Sequence, residues 1–189
     1  MKKQALIVAL LAASGFASTS AFAADGTINI TGAIQGMTCT IGGGTGTTPT
    51  GGGNFGVELI TVQTSALASA GQVAAAKPFS IQLGTDGTAP CPVGTRAAVL
   101  YEATSPLINP VTGNLMNAAA TDPATNVEVQ IVDMTTNTAM NLASGDLSAE
   151  VTTTGPTTQL PFAAQYIATG GAATAGNVET SVQYSVQFN

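Results

Sequence analysis

Few side chains in this sequence are equipped for chemistry. Two cysteines, Cys39 and Cys91, ten carboxylates and four cations are set among 189 residues that include no histidine and no tryptophan. Without His, the commonest general base and zinc ligand is gone, and with it every Ser/His or Cys/His dyad. The carboxylates are scattered singly, with no Asp-x-Asp-x-Asp-Gly run to hold calcium. Residues 42–56 read GGGTGTTPTGGGNFG. A glycine-rich loop that cradles phosphate needs a Lys followed by Ser or Thr, and none occurs here, so the stretch reads as a flexible connector. Asn29-Ile30-Thr31 fits a glycosylation acceptor, but it sits inside an apolar-faced strand and is set aside. The expectation is a protein that is not an enzyme and carries neither metal nor cofactor.

The N-terminus decides how the cysteines are read. Met1-Lys2-Lys3 gives a positive start, Ala5 to Ala13 is an apolar run of nine, and Ala21-Phe22-Ala23 puts small residues at a cleavage site. Residues 1–23 are therefore expected to be a signal peptide. The run is too short for a membrane span, which takes about 20 apolar residues. In the oxidising compartment that export implies, an even pair of cysteines in a small domain is most simply a disulfide, Cys39 to Cys91. Their spacing is nothing like Cys-x-x-Cys, and no other soft ligand exists to make a redox or metal pair. After cleavage, Lys77 and Arg96 face all ten carboxylates, a net charge near −8. No basic surface remains for phosphates, so nucleic acid is not an expected partner.

The elements that carry these residues repeat with period two. Ile28, Ile30, Gly32 and Ile34 alternate with Thr27, Asn29, Thr31 and Ala33, and Phe79, Ile81 and Leu83 alternate with Ser80 and Gln82. Val127, Val129 and Ile131 form a third face, Leu160, Phe162, Ala164 and Tyr166 a fourth, and Val182, Tyr184, Val186 and Phe188 the cleanest. Weaker strands are expected over 57–62, 97–102 and 146–152, and a short helical turn over 64–70. Seven or eight strands punctuated by Gly, Pro, Asn and Asp predict an all-β sandwich.

The two ends of this sandwich pose a physical problem. The first strand starts soon after the expected cleavage site and Cys39 follows it closely, so two strands crowd the N-terminus. The last strand is as apolar on one face as a central strand, yet an immunoglobulin-like sandwich would need one more beside it. A bare edge next to a half-filled core invites a strand from elsewhere. The spare strand Thr27 to Ile34 of another copy would fill it, and such a head-to-tail contact builds a filament.

The sequence here resembles the chaperone/usher pilins, in particular type 1 major fimbrial subunits. The blocks that carry the resemblance are TINITGAIQGMTCT at 27–40, PFSIQL at 78–83 before Cys91, NVEVQIVD at 126–133, LPFAAQYIATG at 160–170, and VQYSVQFN at 182–189 with its penultimate Phe188. The resemblance implies an incomplete immunoglobulin-like β-sandwich that lacks its last strand and is completed by donor-strand complementation. It implies a donor extension over 24–36 and a pilin domain over 37–189. The donor strand would be Thr27, Ile28, Asn29, Ile30, Thr31, Gly32, Ala33 and Ile34, with the isoleucines as plugs and Gly32 at the family's glycine position. Val182, Tyr184, Val186 and Phe188 would line the acceptor groove, and the carboxylate of Asn189 would meet basic residues of a periplasmic chaperone. The implied partners are identical subunits in a homo-polymer, that chaperone, an outer-membrane usher, and tip or adaptor subunits. The implied route is export to the periplasm and then an extracellular pilus supporting cell adhesion. The long Gly/Thr loop at 42–56 departs from the family pattern. The alternatives are a minor or adaptor pilin of the same system and a secreted glycan-binding sandwich module.

Overall fold

The computed structural model describes residues 39–84 and 91–189. The expected signal peptide, the extension 24–36 and the donor strand 27–34 lie outside these residues. The described chain is built from strands β1 (Ile41–Gly43), β2 (Thr48–Gly51), β3 (Asn54–Gly56), β4 (Val73–Leu83), β5 (Arg96–Tyr101), β6 (Leu115–Met116), β7 (Val127–Asp133), β8 (Thr138–Ala139), β9 (Val151–Thr152), β10 (Thr158–Ala168) and β11 (Tyr184–Phe188). A single 3-10 turn, Thr64–Leu67, falls where the helical turn is expected.

One antiparallel sheet runs β1-β4-β10-β7-β6, with β8 on β7, and the other runs β11-β5-β9. Their facing sides supply the core. Phe79, Ile81 and Leu83 of β4, Leu160 and Phe162 of β10, and Val129 and Ile131 of β7 pack with Val99 and Tyr101 of β5. These are the odd or even members of each alternating run, because a pleated strand sends successive side chains to opposite faces. Phe162 is the largest fully buried side chain. Its ring stacks on Phe79 at 5.8 Å and meets Tyr101 edge-on at 5.7 Å, so aromatic contact ties the two sheets together.

A bulge lets β4 serve two cores. Ala164 pairs with Lys77 but Tyr166 pairs with Ala74, so two β4 residues oppose one on β10, and Ala75 takes the left-handed conformation with φ of 58°. Because the side-chain period is two, this slip changes which β4 residues face inward. Beyond it, Ala74 joins Leu67, Val127, Ala168 and Tyr166 in a second, smaller cluster.

Cys39 and Cys91 are bonded, with Cα atoms 4.7 Å apart and a separation of 52 positions in sequence. The bridge pins the entry of β1 close to the chain that leads into β5.

Three expectations need correction. The Gly/Thr stretch is not a featureless connector: it ends β1 and then folds into the β2–β3 hairpin, which belongs to neither sheet. Gly51, Gly52 and Gly53 turn the hairpin at positive φ, which costs a residue without Cβ little. Residues 57–62 form no strand and have no ladder partner among the described residues. Of 146–152 only Val151–Thr152 pairs as a strand. There side chains take over the backbone's bonds: Val99 N–H donates to Ser148 Oγ at 2.9 Å and Ala149 N–H to Asp133 Oδ2 at 2.7 Å.

Candidate functional site

β11 is paired on one side only. Tyr184 to Phe188 register against Tyr101 to Ala97 of β5, and the ladder is carried past both ends. Glu102 N–H donates to the Gln183 carbonyl at 2.9 Å, and Asn189 and Arg96 exchange backbone bonds. On its other side β11 has no strand neighbour among the described residues. Its inward side chains, with Val182 before it, are only half-buried against the core, although they are as apolar as those of a central strand.

That side opens into a cleft of about 1070 Å³. One wall is the segment from Asn54 to Leu59, the other runs from Val178 to Tyr184, and the floor includes Phe79, Tyr101, Leu115, Val129, Ala164 and Tyr166. The floor is therefore the hydrophobic core itself, seen from the edge. Glu58, Glu102 and Glu179 stand on the rim. Two lining hydroxyls, Tyr101 Oη and Thr180 Oγ1, are buried without a hydrogen-bond partner among the described residues. Burial first, and then the nearby Asp133 charge, push the Tyr101 phenol well above its usual range. Burial also raises Tyr184 and Tyr166.

The cleft narrows at one end. Tyr184 Oη donates to the Gly53 carbonyl at 2.6 Å, and the Phe55 ring lies 5.6 Å from Tyr184 and 6.2 Å from Phe79. Val182 and Tyr184 line the open part, while Val186 and Phe188 pack on the core beyond this crossing. The Asn189 side chain donates to Glu150 Oε1 at 2.8 Å, and Glu150 is also ion-paired with Arg96. The sequence reading missed the opposite wall. Phe55, Val57 and Leu59 alternate as a strand face does, and that is the signal that marks it.

Among the described residues, no group of His, Cys, Asp and Glu is arranged to hold a metal ion. No described helix is long and apolar enough to cross a membrane. The cleft has an apolar floor and polar groups on its walls, and it lies beside a strand edge without a neighbour among the described residues. Such a site recognises an extended peptide by ladder bonds and by pockets for alternate side chains.

The family model of the type-1 fimbrial protein, A, matches residues 59–189. The chain belongs to that family. It is 36% identical to the major fimbrial subunit SMF-1 of Stenotrophomonas maltophilia, over 92% of this chain and 98% of the relative. It is 32% identical to the type-1 fimbrial protein, A chain, of Escherichia coli, with both chains fully covered. The fold matches the P pilus rod subunit PapA with a TM-score of 0.56 at 14% identity, over 80% of this chain and 99% of PapA. A chain in a solved chaperone-usher pilus matches with a TM-score of 0.55 at 15% identity, over 88% and 96%. The sandwich is thus the immunoglobulin-like fold of pilus subunits, and this pilin is a structural subunit of extracellular fimbriae that polymerises with other subunits.

Proposed function

We propose that this pilin assembles by donor-strand exchange, with residues 27–34 of one copy entering the cleft of the next. The observation that carries the reading is the outer edge of β11, without a strand neighbour among the described residues and beside an open core, with residues 57–59 of the opposite wall likewise outside any ladder. A strand laid between them would pair with both. Ile28, Ile30 and Ile34 would sit over the floor, each burial contributing roughly 1.5–3 kcal/mol. Where Tyr184 and Phe55 already fill the slot, the entering strand has least room for a side chain, which suits Gly32.

On this reading residues 1–23 direct export, 24–36 form the donor extension and 37–189 the acceptor domain. A periplasmic chaperone holds the groove first, contacting Val182, Tyr184, Val186, Phe188 and Asn189, and an outer-membrane usher exchanges it for the donor. The polymer is a shaft of identical subunits that carries tip or adaptor subunits and supports adhesion.

The test is Ile30→Asp. A buried, unpaired carboxylate at a plug position costs several kcal/mol, so incorporation into fibres seen by electron microscopy should fall at least a hundredfold while the subunit still accumulates. Normal fibres from this variant would reject the donor assignment.

A further inference from the structure

The Gly-rich hairpin β2–β3 belongs to neither sheet, yet it is anchored on the groove. Its turn glycine Gly53 offers a carbonyl to Tyr184 Oη at 2.6 Å. Phe55, on its second strand, joins a chain of rings that runs Tyr184, Phe55, Phe79, Phe162, with neighbouring centroids 5.6, 6.2 and 5.8 Å apart. At the other end, Gly43 packs so tightly under Phe55 and Thr47 that a Cβ there would collide with both. The hairpin therefore presses down on the slot at Tyr184, and the open cleft stops at that residue.

An eight-residue donor strand spans about 26 Å at 3.3 Å per residue. To pair with β11 over Tyr184–Phe188 it must pass the point where Tyr184 and the hairpin touch. A strand also needs about 4.8 Å of spacing from each neighbour. The Tyr184 side chain, hydrogen-bonded across to Gly53, occupies that crossing.

We propose that the β2–β3 hairpin is a strap across the groove at Tyr184, latched by the Tyr184–Gly53 hydrogen bond and the Phe55 ring, and that an entering strand must unlatch it. This rests on the donor-strand reading above and adds a regulatory step to it. Entry starts in the open part, beside Val178 to Val182, and finishes by lifting the hairpin. The consecutive glycines at the turn give the strap a hinge.

The test follows self-assembly of the exported chain, refolded from denaturant, by size-exclusion chromatography. Tyr184→Phe keeps the ring but removes the latch, so assembly should run about threefold to tenfold faster, the range set by one net hydrogen bond. Phe55→Ala should also accelerate it. Because both act on one strap, the double variant should gain clearly less than the product of the two single gains. An unchanged or slower rate for Tyr184→Phe, or fully multiplicative gains, would overturn the strap. Assembly of Ile30→Asp at the normal rate would instead remove the donor-strand reading, so the two failures are distinguishable.

Discussion

Removing the disulfide tests how the groove is held open, and its cost can be worked from the chain. Cys39 and Cys91 are 52 residues apart, and the closed loop contains β1, the hairpin, the cleft wall 54–59 and β4. In the chain-entropy account, a loop of that length removes about 14 cal/mol/K from the unfolded state, or about 4 kcal/mol at 25 °C. Domains have about 5–15 kcal/mol in total, so the bridge supplies a large share. Cys91 is 2% exposed, so alanine avoids burying a new hydroxyl there. The double variant Cys39→Ala/Cys91→Ala should melt about 8–16 °C below the parent monomer, at about 2–4 °C per kcal/mol for a chain of this size. Circular dichroism melts, read beside the unmodified chain with and without reductant, check this. A shift under about 2 °C in both comparisons would refute the argument that loop closure stabilises the subunit.

Other residues make separate predictions. Tyr101 stays protonated in the fold well above pH 10, while the unfolded phenol ionises near 10, so the folded state binds more protons in alkali. Stability should therefore hold below pH 10 and fall above it by about 1.4 kcal/mol per pH unit from this group, with Tyr101→Phe flattening the slope in urea titrations at pH 9–11. The same variant removes a buried hydroxyl that has no partner among the described residues, so at pH 7 it should be neutral or stabilising; a loss above 1 kcal/mol would contradict that. Glu128 is buried and accepts from Asn109 Nδ2 at 2.7 Å, Thr112 Oγ1 at 2.7 Å and Asn114 Nδ2 at 3.1 Å, fastening the 107–116 loop. Glu128→Gln turns an amide donor on at least one of these donors and should cost about 2 kcal/mol by urea midpoint. Gly84 has φ of 76° and a Cβ there would strike the Pro156 carbonyl, so Gly84→Ala should cost at least about 2 kcal/mol, and soluble yield should drop with it.

The strands that were legible in the sequence are those with one face on the core and one facing away. Phe79–Leu83, Val127–Ile131, Leu160–Tyr166 and Tyr184–Phe188 alternate because successive side chains leave opposite faces of a strand and only one face packs on the large apolar core. The bulge at Ala75 was hidden because Ala74, Ala75 and Ala76 show no contrast between faces. The hairpin was hidden for a similar reason: glycine and threonine alternate without an apolar side, and Phe55 alone betrays its packing. The groove was half legible. β11 announced its apolar face, but the wall at 54–59 did not read as the matching edge, and the Tyr184–Gly53 latch joins residues 131 apart in sequence.

The fate of residues 57–62 carries the argument one step further. Val57 and Leu59 alternate and pack on the core as strand residues do, yet this segment has no ladder partner among the described residues. Period two reports which side of a chain is buried; it does not report whether a neighbour is present to take the backbone bonds. β11 shows the same combination, with an apolar face on the core and one edge without a strand among the described residues. Val57 to Leu59 and Tyr184, the first residue of β11, line one cleft whose floor is core. Two unsatisfied edges across a single slot would be closed by one inserted strand, as the proposed donor-strand exchange requires, because it would pair with each and cover the floor between them. Two independent repairs, one for each edge, would leave the floor open, so the shared slot favours a single extended donor over separate capping loops.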